Sequence, residues 1–151
     1  MYSKELICNV LEYIDNNLFV KISINDLANY FHYDKYYIIK LFKQEIGDTL
    51  ITYINKLRIY YVLKDINTSD NLFITISLKY GFYSLEYFSE IFKREVGVSP
   101  RDYKKMVNNR YLNTKVVNNI LEINKLVKYK DNYLNNRKRK IDTTLRLSIF
   151  K

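Results

Sequence analysis

The chain has 151 residues, 48% of them hydrophobic, which is enough for one domain with an extension around a packed core and excludes global disorder. Lys and Arg outnumber Asp and Glu by 25 to 16, but the excess is local: positions 1–106 carry 14 cations against 13 carboxylates, and positions 107–151 carry 11 against 3. A single cysteine and a single histidine deprive Cys/His zinc clusters and Ser-His-Asp or Cys-His catalysis of their parts, and no phosphate- or dinucleotide-binding glycine motif occurs, so catalytic residues, metal sites and cofactors are all expected to be none.

Three glycines and one proline are too few for a fold built on tight turns, and the segments between them have helical periodicity, so an all-α fold is expected. No run approaches the roughly 18–20 apolar residues of a membrane span, and Met1-Tyr2-Ser3-Lys4-Glu5 is no signal sequence, which predicts a cytoplasmic protein with no membrane partner. Abundant Asn, Lys, Ile and Tyr with scarce Ala and Gly is the bias an AT-rich genome imposes, so lysine counts alone carry little weight.

Ser3 is a candidate cap for a first helix with Leu6, Ile7, Val10, Leu11 and Ile14 inside, ending near Asn16 or Asn17; Cys8 lies on this stripe and reads as a buried apolar residue more readily than as a redox sensor. Ser23, with Asp26 three residues on, caps a short helix through Ile24, Leu27, Ala28 and Phe31. The turn His32-Tyr33-Asp34 leads into a third helix with Tyr37, Ile38, Leu41, Phe42 and Ile46 inside and Lys35, Tyr36, Ile39, Lys40 and Lys43 mostly outside, stopped by Gly47. From Thr49, the positions Leu50, Tyr53, Ile54, Leu57 and Tyr61 give a connector of about 16 residues and roughly 24 Å.

After a break at Thr68-Ser69-Asp70-Asn71, the residues Ile74, Ile76, Leu78 and Tyr80 resume the helical pattern up to the turn Gly81-Phe82-Tyr83. A helix from about Ser84 to Val96 and, with Ser99 as cap and Pro100 in its first position, a short one from Arg101 to Met106 follow. In the tail, Val116, Ile120, Ile123 and Val127 form one helical stripe, Arg137-Lys138-Arg139-Lys140 is a basic cluster, and Leu145, Leu147 and Ile149 alternate like a short strand.

One block occurs twice, 49 to 50 residues apart: Tyr37 to Gly47 and Tyr87 to Gly97 both end in Phe-Lys-x-Glu-x-Gly, and Tyr53 and Tyr103 stand six residues beyond their glycines. Each copy has the grammar of a helix-turn-helix, in which a supporting helix and a tight turn present a second helix to the DNA major groove. Gly81 takes the turn position that needs a left-handed backbone, and His32 stands there in the first copy, where local strain is the simpler reading than proton sensing or metal binding.

Leu27-Ala28, Leu41-Phe42-Lys43-Gln44-Glu45-Ile46-Gly47, Tyr53, Arg58, Tyr80-Gly81-Phe82, Tyr87-Phe88, Phe92-Lys93 and Gly97-Val98-Ser99-Pro100-Arg101-Asp102-Tyr103 resemble the AraC/XylS family of bacterial transcription regulators, over about residues 3–106. The resemblance implies two homeodomain-like helix-turn-helix subdomains, about 3–48 and 68–106, joined by a linker helix at about 49–66. That makes about seven helices in a unit spanning 1–106, followed by a basic C-terminal extension, 107–151, of unknown structure. It also implies a transcription regulator that puts two reading helices into successive major-groove segments of double-stranded DNA and acts at the nucleoid. Many family members carry a sensing or dimerisation domain ahead of this unit. If this chain is whole it resembles the short stand-alone regulators, which bind as monomers and act through contact with RNA polymerase.

By position within the resemblance, Tyr36, Ile39 and Lys40 fall where family members reach base edges, with Lys35 and Lys43 near phosphates; the second face holds Tyr83, Ser84, Leu85, Glu86, Glu90, Lys93 and Arg94. Glu90 stands where the family has arginine, so Glu86 and Glu90 either accept from cytosine N4 or form ordinary charge pairs with Lys93 or Arg94 on their own helix. Tyr37, Tyr53, Tyr87 and Tyr103 read as core, and Tyr36 and Tyr83 as facing DNA. For the tail three readings stand: phosphate contacts by Arg137, Lys138, Arg139 and Lys140, a solvated extension, or packing of the 116–127 stripe on the body or a partner. A different class of function, a protein-interaction module that pairs with another regulator and binds DNA weakly, is favoured by the near-neutral body and Glu90 and opposed by the intact first reading helix.

Overall fold

The computed structural model describes the backbone of residues 3–149; the side chains of Lys138 and of 140–149 lie outside the described set. Eight helices follow in order: α1 Ser3–Asn17, α2 Ile24–Phe31, α3 Lys35–Ile46, α4 Leu50–Thr68, α5 Phe73–Lys79, α6 Leu85–Val96, α7 Pro100–Asn108 and α8 Thr114–Ile149. The described residues contain no strand, so Leu145, Leu147 and Ile149 belong to a continuous helix and the strand-like alternation of the tail is corrected.

The helix starts are written in side chains. Ser23, Asp34, Thr49, Ser84 and Ser99 each accept a hydrogen bond from a main-chain N–H of the first turn they precede, which satisfies donors that a helix N-terminus leaves open. Asn113 does the same for α8, accepting from Val116 N at 2.9 Å.

Two apolar cores result. The first joins α1, α2 and α3 to Leu50, Tyr53, Ile54 and Leu57 of α4; the second joins α5, α6 and α7 to Ile59, Val62, Leu63 and Ile66. Helix α4 is therefore apolar on two sides in succession, with 19 residues spanning about 28 Å. In α5 the burial falls on Ile76 and Ser77, and Ile74 and Leu78 are exposed; small Ser77 matches Ala28 of α2, so each supporting helix brings a small residue to its inner face.

Helix α8 belongs to both cores. Val116 and Ile123 enter the second and Val127 the first, so the chain runs from one subdomain to the other along α4 and then back along α8. The seam continues through Lys130, Leu134 and Arg137, and its spacing of four and three residues keeps one face of a long helix against its partners. The Lys130 ammonium is buried between Asp15 and Asp131 at 3.1 and 3.2 Å, and Arg137 donates to Asn9 at 2.8 Å and Glu5 at 3.5 Å. Of the readings open for the tail, the packing of the 116–127 stripe on the body is the one observed.

Buried polar groups tie the remaining elements. Asp65, near the end of α4, accepts from Ser69, Tyr80, Lys79 and Asn71, and Lys104 of α7 donates to the Ile66 and Ser69 carbonyls at 2.8 and 3.0 Å. The Ser69 hydroxyl does most to hold the Asp65 carboxyl down at about 2; burial opposes it, and Tyr80 and Lys79 assist. Cys8 is buried, as its place on the α1 stripe requires.

Candidate nucleic-acid interface

Each repeated block forms a supporting helix, a turn and a presented helix, α2 to α3 and α5 to α6. The turns are not identical. In the first, His32 is left-handed at φ 58°, Tyr33 N bonds back to Ala28 O, and Asp34 caps α3. In the second, Gly81 is left-handed at φ 86°, Phe82 N bonds back to Ser77 O, and an additional residue, Tyr83, precedes the Ser84 cap. That insertion is why the repeat measures 49 residues before the turn and 50 after it.

Gly81 is needed for space as well as for backbone. A methyl group there would stand 3.0 Å from the Leu18 carbonyl oxygen and 3.1 Å from Arg58 Nε. Arg58, buried in the middle of α4, donates to the Leu18 and Val20 carbonyls at 2.9 Å each and lies over the Phe82 ring. Phe19 packs edge-on against Tyr61 and Tyr80 beside it. One guanidinium thus joins the α1–α2 loop of the first subdomain to the turn of the second, and burial pulls its pKa down from the usual arginine value.

On α3, Tyr36, Lys40 and Lys43 are exposed, with Tyr36 at 69%, while Lys35 and Ile39 are half-buried. Lys35 leans over the Tyr36 ring at 5.1 Å. Tyr37 departs from expectation: it is 45% exposed and stacks on Tyr33 at 5.7 Å, because Ile38, Leu41 and Phe42 already fill the inner side. The outer face of α3 is therefore cationic and aromatic.

On α6, Tyr83 is 79% exposed and stacks on Tyr87 at 4.5 Å, so both copies place a stacked tyrosine pair at the start of the presented helix. Tyr87 is half-buried and its hydroxyl accepts from Asn55 of α4 at 2.9 Å. Ser84 and Leu85 are half-buried, and Glu86, Glu90, Lys93 and Arg94 are exposed. Arg94 pairs with Glu95 at 3.2 Å, while neither Glu86 nor Glu90 meets a cation among the described residues, so the same-helix charge pairs weighed for them do not form. Tyr53 and Tyr103 are core, the latter donating to Asn67 at 2.9 Å.

The sequence did not point to Tyr33, Asn55 or Asp65. For the last two a partial signal existed, since Asn55 has Ile51 and Ile59 four residues away on either side and Asp65 follows Tyr61 and Val62 on its own helix face. Of the tail cluster, Arg137 is committed to α1, Arg139 has a partner, and Lys138 and Lys140 lie outside the described side chains.

The model of a helix-turn-helix domain family matches residues 27–106. The HTH-type transcriptional activator AarP of Providencia stuartii is 32% identical over 103 residues, which cover 68% of this chain and 76% of AarP. Regulatory protein SoxS of Salmonella typhimurium is 27% identical over 104 residues, covering 69% of this chain and 97% of SoxS. Among solved structures, the DNA-binding domain of the global transcriptional factor AdpA, in complex with a target DNA, superposes with a TM-score of 0.64 at 19% identity, over 69% of this chain and 94% of that one. No helix among the described residues is long and apolar enough to cross a membrane.

Proposed function

The chain belongs to the AraC-type helix-turn-helix family of DNA-binding transcription regulators, and from that premise we propose that it reads DNA unequally with its two presented helices, α3 firmly and α6 weakly. The observation that carries this is the contrast between their exposed faces on matching frameworks.

The first face has Lys40 to donate to guanine O6 and N7, Tyr36 and Ile39 to meet thymine methyls, and Lys35 and Lys43 to meet phosphates. Tyr33 and Tyr37 join it, since their stacked rings flank the same helix start. The second face offers Glu86 and Glu90, which can accept from cytosine N4 but are repelled by phosphates; Tyr83, Ser84, Leu85, Lys93 and Arg94 complete it.

Two reading helices in one chain engage two groove segments without a second copy, so we assign binding to the monomer. A relative named as a transcriptional activator supports contact with RNA polymerase as the output, and such a regulator works in the cytoplasm, at the nucleoid.

The test is binding of the full chain to random and AT-rich duplexes across a salt series. Sequence-dependent binding with a log-log salt slope of a few units is expected. No binding even at low salt would sink the proposal and leave the protein-interaction reading.

A further inference from the structure

A two-module reader recognises one spacing of half-sites only if the modules cannot shift against each other. Helix α4 sets a distance, but one helix between two domains still allows bending and twisting about its axis. Helix α8 is a second connection. It contributes Val116 and Ile123 to one core and Val127 to the other, on a single rigid rod.

The rod also grips both reading helices at the same place, their C-terminal ends. Asn119 Nδ2 donates to the Val96 carbonyl of α6 at 2.9 Å, and the Tyr129 hydroxyl donates to the Glu45 carbonyl of α3 at 3.3 Å. At Gly97 the approach is so close that a methyl group would stand 2.9 Å from Asn119 Nδ2. Ten residues separate Asn119 from Tyr129, about 15 Å of helix, so the two helix ends are held at a fixed interval. The starts of α3 and α6, where Tyr36 and Glu86 are exposed, are untouched by these contacts.

We propose that α8 is a positioning element for DNA recognition: it fixes the separation and relative rotation of α3 and α6, so that the chain accepts one half-site spacing and rejects its neighbours. The proposal rests on the DNA-reading function above. The basic residues along this seam serve that bracing, because Lys130 and Arg137 face Asp15, Asn9 and Glu5 of α1.

The experiment uses the full chain and the duplex it selects from a random pool, together with versions carrying one or two additional base pairs between the half-sites and a version with the second half-site scrambled. Wild type is expected to lose roughly tenfold or more with two added base pairs, which rotate the second site by about a fifth of a turn. Val116→Ala with Val127→Ala, which loosens the seam at both cores, is expected to cut that penalty to about threefold or less and to weaken binding to the unaltered duplex. Its affinity for the scrambled duplex should match wild type.

An unchanged spacing penalty in a folded variant would overturn the proposal, as would an equal loss on the scrambled duplex, which would assign α8 to fold stability alone. Should that variant not fold, Asn119→Ala with Tyr129→Phe, which leaves the apolar seam in place, is read by the same criterion. If the selection itself yields no duplex, it is the DNA-reading function that fails.

Discussion

Lys40 is the residue on which we propose that base reading turns, because it is exposed near the middle of α3 and meets no carboxylate among the described residues. Lys40→Ala should change the bases preferred at one half-site position and cost roughly 1–3 kcal/mol on the selected duplex, read by repeating the selection with the variant. An unchanged preference would mean that the reading face lies elsewhere on α3. Glu90→Arg should strengthen binding to random duplexes, since it replaces a carboxylate that meets no cation among the described residues by a cation on the face proposed to meet DNA; weaker binding to the selected duplex alone would identify Glu90 as a cytosine reader. Asp65 matters for a different reason. Its pKa of about 2 lies below the ordinary 3.8, so its contribution is complete above that ordinary value and disappears as pH falls through about 2. Asp65→Asn should lower stability by about 2 kcal/mol at neutral pH and flatten the acid limb of the unfolding curve, measured by urea denaturation between pH 2 and 7.

At the scale of elements, the turns and the helices they join separate what composition can reveal from what only packing decides. Gly81→Ala should destabilise more than Gly47→Ala, by about 1–2 kcal/mol in thermal or urea melts. Both positions are left-handed, but a methyl group at Gly81 meets Leu18 O and Arg58, and one at Gly47 meets nothing within 4 Å. Helices α2, α3, α6 and α7 were legible because caps such as Ser23, Asp34 and Ser99 and a one-sided apolar period mark their starts and faces. Helix α4 was only half legible: its apolar residues serve two cores, so Ile59, Val62 and Ile66 fall off the face that Tyr53 and Leu57 define. Tyr37 reads as inside because it stands at a repeated position on the same stripe as Ile38, Leu41 and Phe42, yet those three already fill the α3 core. Helix α8 hid its second half for a related reason. Lys130 and Arg137 occupy seam positions where an apolar residue is the usual marker, and Asp15 and Glu5, the carboxylates of α1 that meet them, lie more than a hundred residues away in sequence.

For the whole molecule, formal charge and the charge a duplex meets are different quantities. Net charge is +9, yet Lys130 and Arg137 are spent on α1. Arg137→Gln should therefore leave the salt slope of DNA binding nearly unchanged while lowering the melting temperature, whereas Lys43→Ala should lower the slope by about one unit, both measured by titration from low to moderate salt. The contact between Arg137 and Glu5 has a second consequence, concerning synthesis. Helix α1 leaves the ribosome before α8, but the core it helps to build is completed by Val127, and its acidic side is closed by Lys130 and Arg137, which are made more than a hundred residues after their partners on α1. The second subdomain needs Val116 and Ile123, which also come late. Neither reading helix acquires its full support before the rod behind both has emerged, so nascent chains expose two unfinished cores together and become competent for DNA in one late step.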